Sequence, residues 1–452
     1  MAQVQLHQPT FPELVRVSLR IGFLSFGGPV GQIALMHREL IDERRWVSED
    51  EYLQALNFCH LLPGPEAQQL AIWIGWKLHG WRGGIVAGAL FVIPGALVML
   101  ALSILYGFTA RLAWFSSLFL GIKAAVVAII AQALIRIARR ALKTTFQRGL
   151  ALLAFAALFV LDLPFPLVVL AALAAGAVTG ATRPELLAIK AAGPAAHDEP
   201  KPWGATLKAL AIWLAVWAAP LLAVLAVLGP HHVLWQIGLF FSKLAVVTFG
   251  GAYAVLAYMA QQAVSGFGWL SPGQMADGLG LAETTPGPLI MVTQFVGYLA
   301  AFRSPGPLNA VLAGVLGAAL TTWVTFAPCF LSVLALAPWM DRLQRAPALK
   351  GGLAAVTGAV VGVIANLALW FALHVLFTQV DVIHAPPLRM PWPEWTSFDW
   401  RAAVIAAVAL LMIFRFQRAI VTTLAVAAPM GLALGLLSSP PFSAIAPRGP
   451  IS

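Results

Sequence analysis

Charged side chains are what this sequence has least of: Asp, Glu, Lys and Arg make up 10% of its 452 residues, against 60% hydrophobic. A soluble domain carries roughly 25% charged residues, so a polytopic membrane protein is implied. Cysteine is almost missing. The two present, Cys59 and Cys329, lie in apolar stretches, which argues against a disulfide framework or a thiolate metal site. The sequence shows no nucleotide-binding P-loop and no metal-ligand cluster, so primary pumping, a metal and a cofactor are unsupported and no enzyme activity is expected. No cleavable signal is evident, because Met1 to Thr10 is polar and the apolar stretch beyond it already holds Arg16 and Arg20. The net charge of +10 would suggest nucleic acid in a soluble chain. Here it reads as cationic loops on the cytoplasmic side of a bilayer.

What the sequence has in quantity is apolar windows of about 18–25 residues, the length that spans the hydrocarbon core. About thirteen are read: 14–36, 52–78, 83–106, 113–135, 149–161, 166–180, 207–228, 234–259, 275–301, 308–337, 351–374, 402–414 and 419–437. The expected fold is an all-α polytopic membrane protein. With a cytoplasmic N-terminus, strict alternation puts four basic clusters inside: Arg136 to Arg148, Arg183 to Lys208, Arg342 to Lys350, and Arg415 with Arg418. The same alternation places the acidic loop 37–51 and the Trp-rich stretch 378–400 outside.

The chain also repeats itself. Phe26-Gly27-Gly28, Trp46-Val47-Ser48 and Pro63-Gly64-Pro65 return 223 residues later as Phe249-Gly250-Gly251, Trp269-Leu270-Ser271 and Pro286-Gly287-Pro288 (249−26 = 269−46 = 286−63 = 223). Arg20 meets Lys243 in that register. Residues 1–181 form one repeat and 234–452 the other, with 182–233 supplying a linker and an unpaired helix. Seven crossings separate the repeats, an odd number, so the halves are expected to be inverted, as in many transporters.

Three constellations could carry chemistry. Arg20 and Lys243 sit in or near spanning segments, where a cation costs at least roughly 2.5–3.5 kcal/mol unless it snorkels or is paired. They are read as an anion-facing pair, with snorkelling or structural pairing as the alternative. Each Pro-Gly-Pro breaks its helix, and the helix restarting beyond it offers free N–H groups to an anion. Whether these segments cross or turn back is open. Gln68 and Gln69 follow the first break, and Thr293 and Gln294 the second. Glu66 and Glu283 flank the breaks as proton-coupling candidates, with His60, Lys77 and Lys123 secondary. The residues expected to bind substrate are therefore Arg20, Lys243, both Phe-Gly-Gly and both Pro-Gly-Pro runs, Gln68, Gln69 and Gln294. Arg20 and Lys243 are expected to face each other, each beside its own break.

These residues resemble the chromate ion transporter family. The runs Leu24-Ser25-Phe26-Gly27-Gly28-Pro29, Arg44-Arg45-Trp46-Val47-Ser48 and Leu61-Leu62-Pro63-Gly64-Pro65-Glu66-Ala67-Gln68-Gln69-Leu70 are similar to its N-terminal domain. Thr248-Phe249-Gly250-Gly251-Ala252-Tyr253 and Ala282-Glu283-Thr284-Thr285-Pro286-Gly287-Pro288 are similar to its C-terminal domain. The resemblance covers nearly the whole chain. It implies the long two-domain form, a multi-pass protein of the prokaryotic inner membrane that exports chromate on the membrane potential or proton gradient. The family's basic residue before Phe-Gly-Gly falls on Arg20 and Lys243. Sulfate has the same charge and shape as chromate, so uptake of sulfate or a related oxyanion is the alternative. A homodimer is left open.

Overall fold

The computed structural model describes residues 7–26, 28–109, 112–188, 203–248, 252–385 and 388–437. Among them six helices are long and apolar enough to cross a membrane, and shorter apolar helices accompany them. Among the described residues the strands are an antiparallel pair, β1 (Val380–Ala385) and β2 (Leu388–Pro393), within the Trp-rich stretch.

The first two apolar windows do not cross; each doubles back at its break. Helix α1 (Phe11–Leu24) and helix α2 (Gly28–His37) have 14 and 10 residues, about 21 and 15 Å at 1.5 Å per residue, against roughly 30 Å of hydrocarbon. At their base the His7 N–H donates to the Arg45 carbonyl at 3.0 Å, so the chain returns to the side it left. Helix α3 (Glu49–Cys59) is started by Ser48, whose hydroxyl accepts from the Glu51 N–H. Helix α4 (Glu66–Thr109) begins just after Pro-Gly-Pro and reverses at His79–Gly80. The Lys77 ammonium at the end of its first arm meets Glu51 at the start of α3, at 2.6 Å. That contact closes a second hairpin.

The same pair of hairpins recurs in the second half. Helix α5 (Ala113–Ala141), helix α6 (Thr145–Phe159), helix α7 (Phe165–Thr182) and helix α8 (Trp203–Leu228) intervene. Then α9 (Val233–Val246) and α10 (Ala252–Gln261) form one hairpin, and α11 (Pro272–Thr284) and α12 (Val292–Arg303) the other. Ser271 caps α11 as Ser48 caps α3. The Arg303 guanidinium at the end of α12 donates to the Trp269 carbonyl at the base of α11, at 2.9 Å. The Trp-x-Ser motifs are thus hairpin-base caps, each worth about 1 kcal/mol of helix initiation.

Beyond the hairpins come α13 (Ala310–Leu336), α14 (Met340–Arg345), α15 (Pro347–Leu376), α16 (Trp400–Leu410) and α17 (Ile420–Leu437). The halves interlock: α15 packs along α6 and α7 of the first half, and α5 along α16 and α17 of the second. Small residues allow these close approaches. Gly176 lies against Ala355 and Gly180 against Gly351; likewise Gly431 lies against Gly121 and Gly435 against Ser117. These are one contact seen from either half, because 355−121 = 351−117 = 234.

Two corrections follow. The thirteen-crossing count fails because the windows 14–36, 52–78, 234–259 and 275–301 are hairpins. The loop 37–51 is also not opposite the basic clusters: the Gln344 amide beside Arg342 and Arg345 donates to the Gln54 carbonyl in α3, at 2.8 Å. Reporter fusions after Arg45 and after Arg148 should therefore report the same side, and a fusion after Pro391 the other. Opposite readings after Arg45 and Arg148 would restore the crossing model.

Candidate functional site

The hairpin tips meet at the centre, and they meet across the halves. The Gly64 N–H donates to the Thr248 carbonyl at 2.8 Å, and the Gly287 N–H donates to the Ser25 carbonyl at 2.8 Å. Since 248−25 = 287−64 = 223, these bonds exchange under the repeat, as contacts about a two-fold axis must. Ser25 and Thr248 repeat each other again, their hydroxyls bonding back to the Ile21 and Leu244 carbonyls at 2.6 and 2.7 Å. Each Pro-Gly-Pro therefore lies beside Thr248 or Ser25, the residue that precedes the opposite half's Phe-Gly-Gly run in the sequence. Both tip glycines need positive φ, +120° at Gly64 and +96° at Gly287, a conformation that L side chains strain to adopt.

The Gln69 and Gln294 amides donate to the Pro63 carbonyl at 2.6 Å and the Ala96 carbonyl at 2.9 Å, while their Oε1 atoms have no hydrogen-bond partner among the described residues. Gln68 is fully buried, and its amide makes no hydrogen bond among the described residues. Phe26 is exposed. Arg20 lies 3.4 Å from Glu39, a fully buried carboxylate that Arg44 also holds at 2.6 Å. Lys243 is exposed on α9 and forms no ion pair among the described residues. Gly27, Phe249, Gly250 and Gly251 lie outside the described residues.

A cavity of about 1230 Å³ opens beside the tips, and neither Arg20 nor Lys243 lines it. Its inner end is formed by Gly28, His60, Glu66 and Glu283. His60 Nδ1 sits 3.7 Å from the Glu66 carboxylate. His60 and Glu283 are repeat mates (283−60 = 223), so the same position supplies an imidazole from one half and a carboxylate from the other. The expected proton-coupling candidates Glu66 and Glu283 are thus brought to one place.

The cavity wall is α5, which contributes Gln132, Arg136, Arg139 and Arg140. Sequence reading missed these arginines as cavity-lining groups and took them for loop charges. Their spacing of four, then three and four, was the signal, since it lines one helical face. Guanidinium groups at that spacing offer forked donors to a tetrahedral oxyanion. Among the described residues there is no cluster that would hold a metal ion.

Two interlocked sets of broken-helix hairpins, meeting beside a charged cavity, define a multi-pass membrane transporter. The chain matches the chromate transporter family over residues 12–178 and 235–432, and it belongs to that family. It is 35% identical over 366 residues to the chromate transport protein of Pseudomonas aeruginosa, covering 78% of this chain and 79% of that one. It is 31% identical over 360 residues to a probable chromate transport protein of Synechococcus elongatus (78% and 84%). It is also 30% identical over 359 residues to the chromate transport protein of Cupriavidus metallidurans (78% and 81%). No solved structure matches the chain.

Proposed function

We propose that this protein is a secondary transporter that exports chromate across the cytoplasmic membrane through the cavity between its two halves. The observation that carries the reading is the arginine face of α5 leading to the hairpin tips. The halves are read as an inverted repeat. Counting the hairpins as non-crossing leaves α8 as the odd crossing between them, so the second set of hairpins enters from the opposite side.

The cavity opens on the face that bears Arg139 and Arg140. The positive-inside bias makes that face cytoplasmic. The repeat offset of 234 gives Arg136, Arg139 and Arg140 the mates Trp370, Leu373 and His374. At these positions, among the described residues, arginine is therefore offered on one side alone, which supports export over uptake.

The energetics agree. A charge crossing the membrane potential gains about 2.3 kcal/mol per 100 mV, so a dianion leaving a negative interior gains about 4.6 kcal/mol per 100 mV. Roughly a thousandfold gradient could be held by the potential alone. Glu66, Glu283 and His60 stand where a dianion would arrive and would exchange protons with it, adding a link to the proton gradient. Everted vesicles containing the protein should accumulate labelled chromate on energisation, with excess sulfate as competitor. Uptake by intact cells, with no accumulation in everted vesicles, would reverse the direction and favour the permease.

A further inference from the structure

An ion pair between a half-buried lysine and a buried aspartate stands apart from the cavity. Lys123 of α5 lies 3.4 Å from Asp277 of α11, with side chains 24% and 9% exposed. The Tyr106 hydroxyl, from the second arm of α4, donates to the other oxygen of Asp277. Phe115, Phe119 and Phe295 enclose the Tyr106 ring, with centroids 5.0–5.7 Å away. None of these groups lines the cavity.

The repeat tells what this place is. Adding 234 carries Lys123 to Thr357 and Tyr106 to Met340; subtracting 223 carries Asp277 to Gln54. Thr357 lines the open cavity, and the other two mates lie on α14 and α3, which meet through Gln344 and Gln54. The structure is therefore open at Thr357 and closed at the equivalent place around Lys123. In a transporter whose inverted halves exchange conformations, the closed place opens when the cavity shuts.

The pair is poorly explained as a structural one. Desolvating two charges at membrane depth costs several kcal/mol per ion, repaid only by good geometry. At 3.4 Å this contact is longer than the 2.7–2.9 Å of a charge-assisted hydrogen bond, and among the described residues the Asp277 oxygen facing Lys123 has no polar neighbour besides that ammonium. We propose that Lys123 is the outer-side binding residue for the divalent oxyanion, masked by Asp277 while the cavity is open to the cytoplasm. Tyr106 holds Asp277 in the masking position. The ligand takes the place of the carboxylate at the ammonium as the outer path opens. This rests on the transport reading above and assigns its exit side.

The test uses the full chain in proteoliposomes, with K123M, D277N, the double variant K123M/D277N, and K123R. Chromate transport should fall at least about tenfold in K123M, the loss of one charge-assisted contact. It should stay low in the double variant and persist in K123R. Chromate binding to the detergent-solubilised K123M protein should stay within about threefold of wild type, because the cytoplasmic cavity is intact. A double variant restored to the wild-type rate would show a pair of structural charges only. K123R failing as badly as K123M, in a protein that still folds, would also overturn the assignment. A wild-type protein that moves no oxyanion removes the transport reading together with this one. A transporting wild type with a restored double variant removes this one alone.

Discussion

Replacing Arg136, Arg139 and Arg140 together by glutamine should raise the chromate concentration that half-saturates transport by about a hundredfold. A hydrogen bond to a charged group contributes about 1.5–3 kcal/mol, and two such contacts to one dianion correspond to about two decades of affinity. The loss should be larger at low ionic strength, because the arginines also attract the dianion over a distance that salt screens. Arg20→Gln and Lys243→Gln serve as controls, since neither lines the cavity. Arg20→Gln should act through Glu39, lowering thermal stability while leaving half-saturation close to wild type. Measuring initial transport rates against chromate concentration at two ionic strengths separates these outcomes. A shift in R20Q equal to that of the triple variant would return the anion site to the position first expected from the sequence.

The second large effect concerns the crossed glycines. Gly64→Ala and Gly287→Ala should each abolish most transport and lower the thermal midpoint in detergent. Backbone strain at positive φ costs about 1–3 kcal/mol. Room is short as well: a Cβ on Gly64 would come 2.7 Å from the Cys329 sulfur, and one on Gly287 would press on the Gly95 Cα at 3.2 Å. Cys329 and Gly95 are themselves repeat mates (329−95 = 234) and each follows a proline within its helix, Pro328 and Pro94. The two substitutions thus strike one contact from either half, and their phenotypes should match. A wild-type rate in one with loss in the other would break the proposed equivalence.

Much of this was legible in the sequence because it depends on residues with narrow geometric demands. A serine that caps a hairpin base and a glycine that must turn at a tip leave fixed letters, and both recur at 223. The reversals were not legible. Helices of 14 and 10 residues, joined by a glycine break, fill the same apolar window as one spanning helix. The window also ended α5 at Ile135, where its apolar run stops, although the helix continues to Ala141. That early end turned the cavity's arginines into a loop. Past the hairpins the register moves by eleven residues (234−223 = 11), and Ala125-Val126-Val127 against Ala359-Val360-Val361 is too plain a match to find before the contacts reveal it. Arg20 misled for a different reason: its partner, the buried Glu39, lies on the same hairpin, and nothing in the spacing announced that the chain folds back to meet it.

The most direct test of the pathway is thiol labelling at Thr357, with Thr357→Cys as the reporter. Both native cysteines are buried, so a membrane-impermeant reagent should read the new one alone. The cysteine is expected to react when the reagent is given on the cytoplasmic side, and chromate should protect it in proportion to its half-saturating concentration. Labelling from the outer side only, or labelling that chromate leaves unchanged, would contradict a cytoplasm-facing oxyanion cavity between the two halves.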